Sequence, residues 1–224
     1  MESRTMIKLD IISDVACPWC YVGKAYLDRA LETNPGHPFE IEWHPFQLNP
    51  DMPKSGMDRR SYLEAKFGGQ EGAVKVHLPL IEHAKKAGVE LNLERIGRTP
   101  NTLDAHRLIH WAGLEGRQTP MVSALFRAYW CDGRDIGDAA TLAEIAGEVG
   151  LDRAMTERLL QGDADADDIR ARDAYSRQRG VNAVPTYIIN HVHVIKGAQP
   201  AETWAYCIEE IVARLSTPDA GPDA

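Results

Sequence analysis

The chain has 224 residues, which is enough for one large domain or for a domain with a sizeable insertion. Its 44% hydrophobic and 26% charged residues are typical of a soluble globular protein. The net charge of -8 argues against a nucleic-acid partner, which requires a basic face. No apolar run approaches the roughly 20 residues of a membrane span, so we expect no membrane partner either.

The first five residues, Met1 to Thr5, are polar and lead directly into an apolar run. They lack the apolar core of a secretory signal, so the sequence predicts a cytoplasmic protein. Thiols are kept reduced in that compartment. A closely spaced cysteine pair in such a protein is therefore more often catalytic than structural.

The first elements are a strand, a helix and a second strand. Apolar and polar residues alternate from Ile7 to Ile12, which predicts a strand that ends at Ser13-Asp14. A helical pattern follows from the Cys17 segment to about Leu31, and alternation returns from Phe39 to Trp43. A strand–helix–strand unit favours a parallel strand pair with a right-handed crossover.

Two cysteines, Cys17 and Cys20, lie two residues apart at the start of that helix. A helix N-terminus favours an anion, so we expect Cys17 to be the attacking thiolate. Cys20, one turn further, is placed to resolve a mixed disulfide. Pro18 suits the first helical turn, where its missing N–H costs nothing. A C-x-x-C pair after a strand is typical of a thioredoxin-type redox motif.

Two other interpretations of the pair remain open. It could be half of a zinc site, although such sites usually have a second Cys or His pair at short spacing. Cys131 and Cys207 are isolated from the motif and from each other, so we assign no metal ligands. The pair could also be a chance surface pair. We expect Cys131 and Cys207 to be buried apolar residues.

The passage from Asp58 to about Asp163 has only helical patterns. Asp58, Asp138 and Asp152 are expected N-caps, and Thr99-Pro100 and Thr119-Pro120 each predict a cap followed by a first-turn proline. One predicted helix has an apolar stripe at Val74, Leu78 and Ile81 and ends at Gly88. Such stripes more often pack in the core than bind a cofactor.

Strands return near the end of the chain. A polar helix from about Asp165 to Arg179 precedes a predicted hairpin, with strands at Val184–Ile189 and Val192–Ile195 around an Asn190-His191 turn. A final helix follows with Trp204, Ile208, Ile211, Val212 and Leu215 facing inward. Thr217-Pro218 is expected to stop this helix, and 219–224 to be a disordered tail.

Several motifs together resemble the DsbA-like thioredoxin-fold oxidoreductases, and most closely their FrnE-like branch. The motifs that carry this resemblance span about Lys8 to Leu215, and they are Ser13-Asp14-Val15, Cys17-Pro18-Trp19-Cys20-Tyr21, Gly23-Lys24, Pro45-Phe46-Gln47-Leu48-Asn49-Pro50, Asn101 with Ala105-His106-Arg107, Val184-Pro185 and Gly197-Ala198-Gln199. The resemblance implies an α/β protein, a thioredoxin fold interrupted by an all-helical insertion domain. The corresponding boundaries are 1–57 and 164–217 for the thioredoxin part, 58–163 for the insertion and 218–224 for the tail.

The resemblance also implies roles for individual residues. Cys17 matches the nucleophile and Cys20 the resolving cysteine, with Pro18 and Trp19 between them at the substrate. Val184-Pro185 matches the cis-proline dipeptide that pairs with the substrate backbone. The sequence departs from the periplasmic DsbA proteins, which carry a histidine between the two cysteines. Some FrnE-like proteins have a second cysteine pair near the C-terminus, where this chain has only Cys207.

Hydroxychromene-carboxylate isomerases and kappa-class glutathione transferases are related proteins that use glutathione. Asn101 and His106 are similar to that branch and are candidate substrate-binding residues. Their alternative roles are structural, with Asn101 in a first helical turn and His106 as a satisfied core histidine. Those enzymes typically have Ser where this chain has Cys17.

The sequence therefore predicts a thiol–disulfide oxidoreductase or isomerase that acts on protein or small-molecule thiols and disulfides through Cys17 and Cys20. We expect no metal or organic cofactor, with glutathione as a candidate co-substrate. The alternatives are a glutathione-dependent isomerase or transferase and a non-catalytic thioredoxin-fold binding module. The physiological substrate, the direction of electron flow and the oligomeric state do not follow from the sequence.

Overall fold

The computed structural model describes residues 6–216, and the expected helix stop and tail at 217–224 lie outside this range. The helices are α1 Pro18–Thr33, α2 Arg59–Phe67, α3 Gln70–Ala87, α4 Leu103–Leu114, α5 Gln118–Trp130, α6 Ala139–Val149, α7 Arg153–Gln161, α8 Ala166–Gln178 and α9 Ala201–Ser216. The strands are β1 Ile7–Ser13, β2 Phe39–Pro45, β3 Met57–Asp58, β4 Arg98–Thr99, β5 Thr186–Ile189 and β6 His193–Lys196. A 3-10 turn covers Leu93–Arg95.

The main sheet has four strands in the order β2-β1-β5-β6. β1 and β2 are parallel, as predicted, while β5 pairs antiparallel with both β1 and β6. The hairpin turn is confirmed, since Asn190 and His191 both have positive φ. The first hairpin strand begins at Thr186, because Val184 and Pro185 form the approach to it. The predicted thioredoxin-like α/β arrangement is therefore present.

The two faces of β1 contact different parts of the protein because side chains alternate along a strand. Leu9 and Ile11 face the main core, which also contains Val22 and Leu27 of α1. Asp10 and Ile12 face the other side, where α8 packs against β2. Helix α1 packs between α9 and α3. The start of α1 is therefore held on a rigid scaffold.

The insertion between β2 and β5 is mainly helical, but it is not all-helical. β3 and β4 form a small antiparallel sheet with Met57 opposite Thr99. This pairing contradicts the prediction of an N-cap at Thr99, and α4 instead begins at Leu103. Thr119 is likewise inside α5, which begins at Gln118. The boundaries 58–163 of the insertion stay a prediction.

The caps predicted at three aspartates are confirmed. Asp58, Asp138 and Asp152 each accept a hydrogen bond from the backbone N–H three residues later. Helix α3 ends at Gly88, as predicted, with φ of 76° in the left-handed region that favours glycine. Sequence signals therefore located these helix ends well.

The apolar stripe predicted on α3 faces solvent, which contradicts the expectation of core packing. Val74, Leu78 and Ile81 are 53%, 59% and 49% exposed. The buried side of α3 is formed by Ala73, Leu80, Ala84 and Ala87. Small alanines allow close packing against α1, so the larger side chains lie on the outer face. Within residues 6–216, no helix combines the length and the hydrophobicity that crossing a membrane would require.

Candidate active site

Cys17 is the N-cap residue of α1, and Pro18 occupies the first turn, as predicted. The N–H groups of Cys20 and Tyr21 point back to the Cys17 carbonyl, at 3.1 and 3.3 Å. Both cysteines are free thiols in this structure. As the N-cap residue, Cys17 therefore lies at the positive dipole end of this helix.

The loop before Cys17 is fixed by several hydrogen bonds. The Asp14 carboxylate accepts the N–H of Ala16 at 3.1 Å and that of Leu48 at 2.8 Å. The Trp130 indole N–H donates to the Val15 carbonyl at 3.0 Å. Two loops of the thioredoxin part and helix α5 of the insertion therefore hold the cysteine in place.

The cis-proline segment lies directly beside the cysteine pair. The Val184–Pro185 peptide bond is cis, as the resemblance implied. Cys17 Sγ lies 3.7 Å from the Val184 carbonyl oxygen. A Cβ atom on Gly23 of α1 would lie 3.1 Å from Pro185 Cγ and 2.6 Å from the Tyr187 hydroxyl. The absence of a side chain at Gly23 therefore permits the close approach of the hairpin to α1.

Cys17 is only 4% exposed, although it lies at the end of a helix. The Val184 carbonyl, 3.7 Å from its sulfur, covers part of it. Cys20 is 1% exposed. Burial raises the pKa of the Cys20 thiol well above its ordinary value of 9.0. Cys20 is therefore a buried neutral thiol in the reduced protein.

Trp19 lies on the outer side of the motif. Its ring packs edge-on against His83 of α3, with the ring centroids 5.3 Å apart. His83 is also held by Tyr26, whose hydroxyl donates to the His83 carbonyl at 3.1 Å. Pro18 and Trp19 are partly exposed, as a role in substrate contact requires. That role stays a prediction.

Asn101 is partly exposed, whereas His106 is buried. The Asn101 amide donates to the Met52 carbonyl at 2.6 Å, and its oxygen accepts from the Leu103 N–H at 2.9 Å. The Asn101 side chain therefore joins the loop after β2 to the start of α4. His106 is 4% exposed, so it lies beneath the surface. A substrate-binding role for either residue stays a prediction.

The prediction that Cys131 and Cys207 are buried is wrong, because both are partly exposed. The Cys131 thiol lies 3.3 Å from the Tyr21 hydroxyl, within hydrogen-bond distance for sulfur. Burial still raises the pKa of the Cys207 thiol above its ordinary value. Neither lies in the C-x-x-C motif.

Sequence reasoning did not identify Tyr187 or His83 as parts of this region. Tyr187 is 1% exposed, and burial raises the pKa of its phenol well above the ordinary value, with the nearby Cys20 adding to the effect. Alternation in the hairpin predicted only that Tyr187 faces inward. His83 lies more than sixty residues after Trp19, and no local pattern connects the two.

One cluster of three polar side chains contains residue types that can bind a metal ion. Asp10, Glu42 and His44 place one ligand atom each within 4.8 Å of one another. However, His44 Nε2 already pairs with Asp10 at 2.9 Å, and Lys8 pairs with Glu42 at 2.9 Å. Arg172 lies 3.4 Å from the other ring nitrogen of His44. These groups satisfy one another, so a hydrogen-bonded network explains the cluster.

A second feature of this region is an open groove of about 670 Å³ on the same face of β1 as that cluster. One side of the groove is lined by Tyr175 of α8 and by Arg179, which directly follows that helix. Another side is lined by His191 of the hairpin. The groove is separated from Cys17 by the sheet, because Asp10 and Ile12 point away from α1.

Comparison with known proteins places this geometry in a family. The family model for the DSBA-like thioredoxin domain matches residues 8–209. The uncharacterized protein YwbO of Bacillus subtilis is 30% identical over 206 residues, which are 91% of this chain and 96% of that protein. The crystal structure of a probable DsbA oxidoreductase from Streptomyces coelicolor is 31% identical, has a TM-score of 0.81 and covers 97% of both chains.

A further solved structure has the same fold at lower identity. The cytosolic disulfide reductase DsbM from Pseudomonas aeruginosa, solved with GSH, is 19% identical with a TM-score of 0.65. The alignment covers 92% of this chain and 99% of DsbM.

Proposed function

Because the chain belongs to the family of DSBA-like thioredoxin domains, we propose that it is a thiol–disulfide oxidoreductase that exchanges disulfides through Cys17 and Cys20. One observation supports this most directly. The Cys17 sulfur sits at the N-terminus of α1 and 3.7 Å from the carbonyl of Val184, beside the cis-proline. A substrate strand that pairs with this segment would bring its own sulfur to Cys17.

The reaction proceeds in two exchanges. The Cys17 thiolate attacks one sulfur of the substrate disulfide, and the other substrate sulfur leaves as a thiolate and takes up a proton. Cys20 then loses its proton and attacks Cys17, which forms the Cys17–Cys20 disulfide and releases the second substrate sulfur. The substrate is reduced and the cysteine pair is oxidised. No metal or organic cofactor takes part in these steps.

A thiol must then restore the Cys17–Cys20 dithiol, and we propose glutathione for this role. The solved structure of DsbM with GSH supports the choice. In this step glutathione attacks the enzyme disulfide, and a second glutathione completes the reduction, so that glutathione disulfide is the product. DsbM is a cytosolic protein, which agrees with the cytoplasmic location that the sequence predicts for this chain.

The two cysteines give the test of this function. Each is replaced by serine in a background that also carries Cys131→Ser and Cys207→Ser, because those partly exposed thiols could form adducts of their own. The reduced proteins are incubated with insulin, a protein that contains disulfides, and run on non-reducing gels. We expect Cys20→Ser to accumulate mixed disulfides with insulin, because the attacking thiol remains and the resolving thiol is absent.

Cys17→Ser should form no adduct and reduce no insulin. Equal behaviour of the two variants, or adducts trapped only by Cys17→Ser, would contradict the assignment of roles. Adducts with glutathione but never with a protein would favour a glutathione-dependent isomerase or transferase. Zinc retained by the reduced protein, with both thiols protected from alkylation, would favour a binding module.

A further inference from the structure

The second exchange step requires that the buried Cys20 thiol loses its proton. Cys20 is 1% exposed, and burial raises the pKa of its thiol well above the ordinary value of 9.0. A thiol attacks a disulfide only as the thiolate, so Cys20 must lose a proton before it attacks Cys17. Bulk water does not reach this thiol. A buried group that takes the proton would allow Cys20 to react without being exposed to solvent.

Within residues 6–216, two of the buried polar atoms that lack a hydrogen bond, Ser13 Oγ and His106 Nε2, belong to residues that line one cavity. The Tyr187 hydroxyl is also unsatisfied within this range and lies near Cys20, but burial raises the pKa of this phenol, so it keeps its proton and cannot accept another from Cys20. The Ser13 hydroxyl lies beside Cys20, close enough to oppose the effect of burial on the pKa of that thiol. Unsatisfied buried polar groups cost stability, and each one calls for an explanation such as an ordered water.

Ser13 and His106 line the same small cavity. Its volume is about 10 Å³, which is close to the space that one water molecule needs. The cavity lies at the end of β1, between β2 and helices α4, α5 and α8. A water there would have a hydroxyl and an imidazole as polar partners, which is the usual setting of a buried water.

The other ionisable groups around the cavity are already engaged. Arg172 of α8 lies 3.2 Å from Nδ1 of His110 and 3.4 Å from Nδ1 of His44, and a guanidinium can only donate to them. His44 also pairs with Asp10 through Nε2. Neither ring therefore offers a free acceptor to the cavity.

His106 differs from both of these histidines. Its Nε2 lies 3.7 Å from Oδ1 of Asp14, too far for a hydrogen bond but close enough to stabilise a positive charge on the ring. The Asp14 carboxylate is held in place by the N–H groups of Ala16 and Leu48. A proton that arrives at His106 would thus meet a fixed negative partner.

We propose that a water in this cavity links Ser13 to His106, and that His106 accepts the Cys20 proton through the water and the Ser13 hydroxyl. The inference rests on the proposed function. The Cys20 proton passes to the Ser13 oxygen, the Ser13 proton passes to the water, and a water proton passes to His106. The Cys20 thiolate then attacks Cys17 Sγ, and the departing substrate sulfur keeps the electron pair of the broken bond.

The two exchange steps can be followed separately with dithiobis(nitrobenzoate). Attack by Cys17 on this disulfide releases one coloured nitrothiobenzoate, and resolution by Cys20 releases the second, so stopped-flow absorbance gives two phases. The protein is the full chain, again with Cys131→Ser and Cys207→Ser. We expect His106→Asn to slow the second phase about 100-fold at neutral pH and to leave the first phase unchanged.

The pH profile separates a proton acceptor from a merely structural residue. With an internal proton acceptor, the second phase of the parent protein should depend only weakly on hydroxide concentration. In His106→Asn that acceptor is absent, and the rate should rise in proportion to hydroxide concentration. Ser13→Ala, which interrupts the same path without touching the histidine, should slow the second phase in the same way.

His110→Asn is the matched control, because His110 lines the cavity but already pairs with Arg172. Its second phase should match the parent. An unchanged second phase in Ser13→Ala, or an equal loss in His110→Asn, overturns the proposal. If circular dichroism shows that His106→Asn is unfolded, the rate of the second phase in Ser13→Ala serves as the test of the relay. Absence of both phases in the parent would contradict the proposed function. Two phases with normal rates in every variant would agree with the proposed function and contradict the relay.

Discussion

Cys17 Sγ lies 3.7 Å from the carbonyl oxygen of Val184, although the two residues are 167 positions apart in the chain. The contact joins the start of α1 to the approach of β5, and the whole insertion lies between them. Two halves of one fold therefore meet at the reacting sulfur. Any change that shifts the hairpin relative to α1 should affect the chemistry at Cys17 as well as the stability of the protein.

Gly23→Ala tests that dependence. A Cβ at position 23 would approach the Tyr187 hydroxyl to 2.6 Å and the Ala198 Cα to 3.3 Å. The hairpin and the segment after it must then move away from α1. We expect a loss of about 1–3 kcal/mol in the free energy of unfolding, typical of an overpacked core, and slower disulfide exchange. Urea unfolding and insulin reduction measure the two effects.

Gly147→Ala is the control for this substitution. Gly147 is also inside a helix, α6, but its added Cβ would meet only Arg153 Cβ, at 3.6 Å. Alanine is the better helix former, so this variant should be more stable by about 0.5–1 kcal/mol. Its exchange rate should equal that of the parent. An equally stable Gly23→Ala with normal exchange would show that the hairpin tolerates the shift.

Asn101→Ala separates a structural role from a substrate-binding role. The change removes the donor to the Met52 carbonyl and the acceptor for the Leu103 N–H. Leaving these backbone groups without their partner should cost about 1–3 kcal/mol of stability. We expect the KM for glutathione to be unchanged.

Asn101→Asp refines the same test, because the carboxylate keeps an acceptor for Leu103 and loses the donor to Met52. Its stability should fall between those of the parent and Asn101→Ala. A KM for glutathione that rises in both variants, with stability near that of the parent, would instead support the binding role.

Sequence reasoning was most successful where local chemistry decides the structure. The aspartate caps and the Asn190-His191 turn involve contacts within a few residues, and all are present. Alternation predicted the strands β1 and β2, and their strand–helix–strand order predicted the parallel pair, which is present. The C-x-x-C motif predicted where α1 begins.

The remaining features depend on contacts between distant segments. The exposed face of α3 was missed because alanines, which give a weak periodic signal, form its packed side. The strand at Arg98–Thr99 exists only through its pairing with Met57–Asp58. The cavity beside Ser13 brings together five separate segments, and no spacing along the chain indicates it.

The burial of Cys20 leads to a prediction about stability and pH. In the unfolded reduced chain, this thiol titrates near its ordinary pKa of 9.0, whereas burial raises the pKa in the folded protein. Between these values the unfolded state binds fewer protons than the folded state. The free energy of unfolding must therefore decrease as pH rises above about 8, by up to about 1.4 kcal/mol per pH unit. Below that range the contribution is fully present.

Urea unfolding of the reduced protein from pH 7 to pH 10 measures this slope, and Cys20→Ala supplies the comparison. Both proteins carry Cys207→Ser, because burial also raises the pKa of the Cys207 thiol and would add a slope of the same sign. Burial raises the pKa of the Tyr187 phenol in both proteins, and Cys20 adds to this effect only in the parent, so the Tyr187 contribution also depends on the Cys20 thiol. Cys20→Ala should start from a lower stability, because it leaves a cavity, but it should lose stability more slowly with pH.

The oxidised parent has no thiol at position 20, so its stability should also decrease with the shallower slope. Parallel curves for the reduced parent and Cys20→Ala would mean that Cys20 titrates normally in the folded protein, and its thiol would then need no internal proton acceptor.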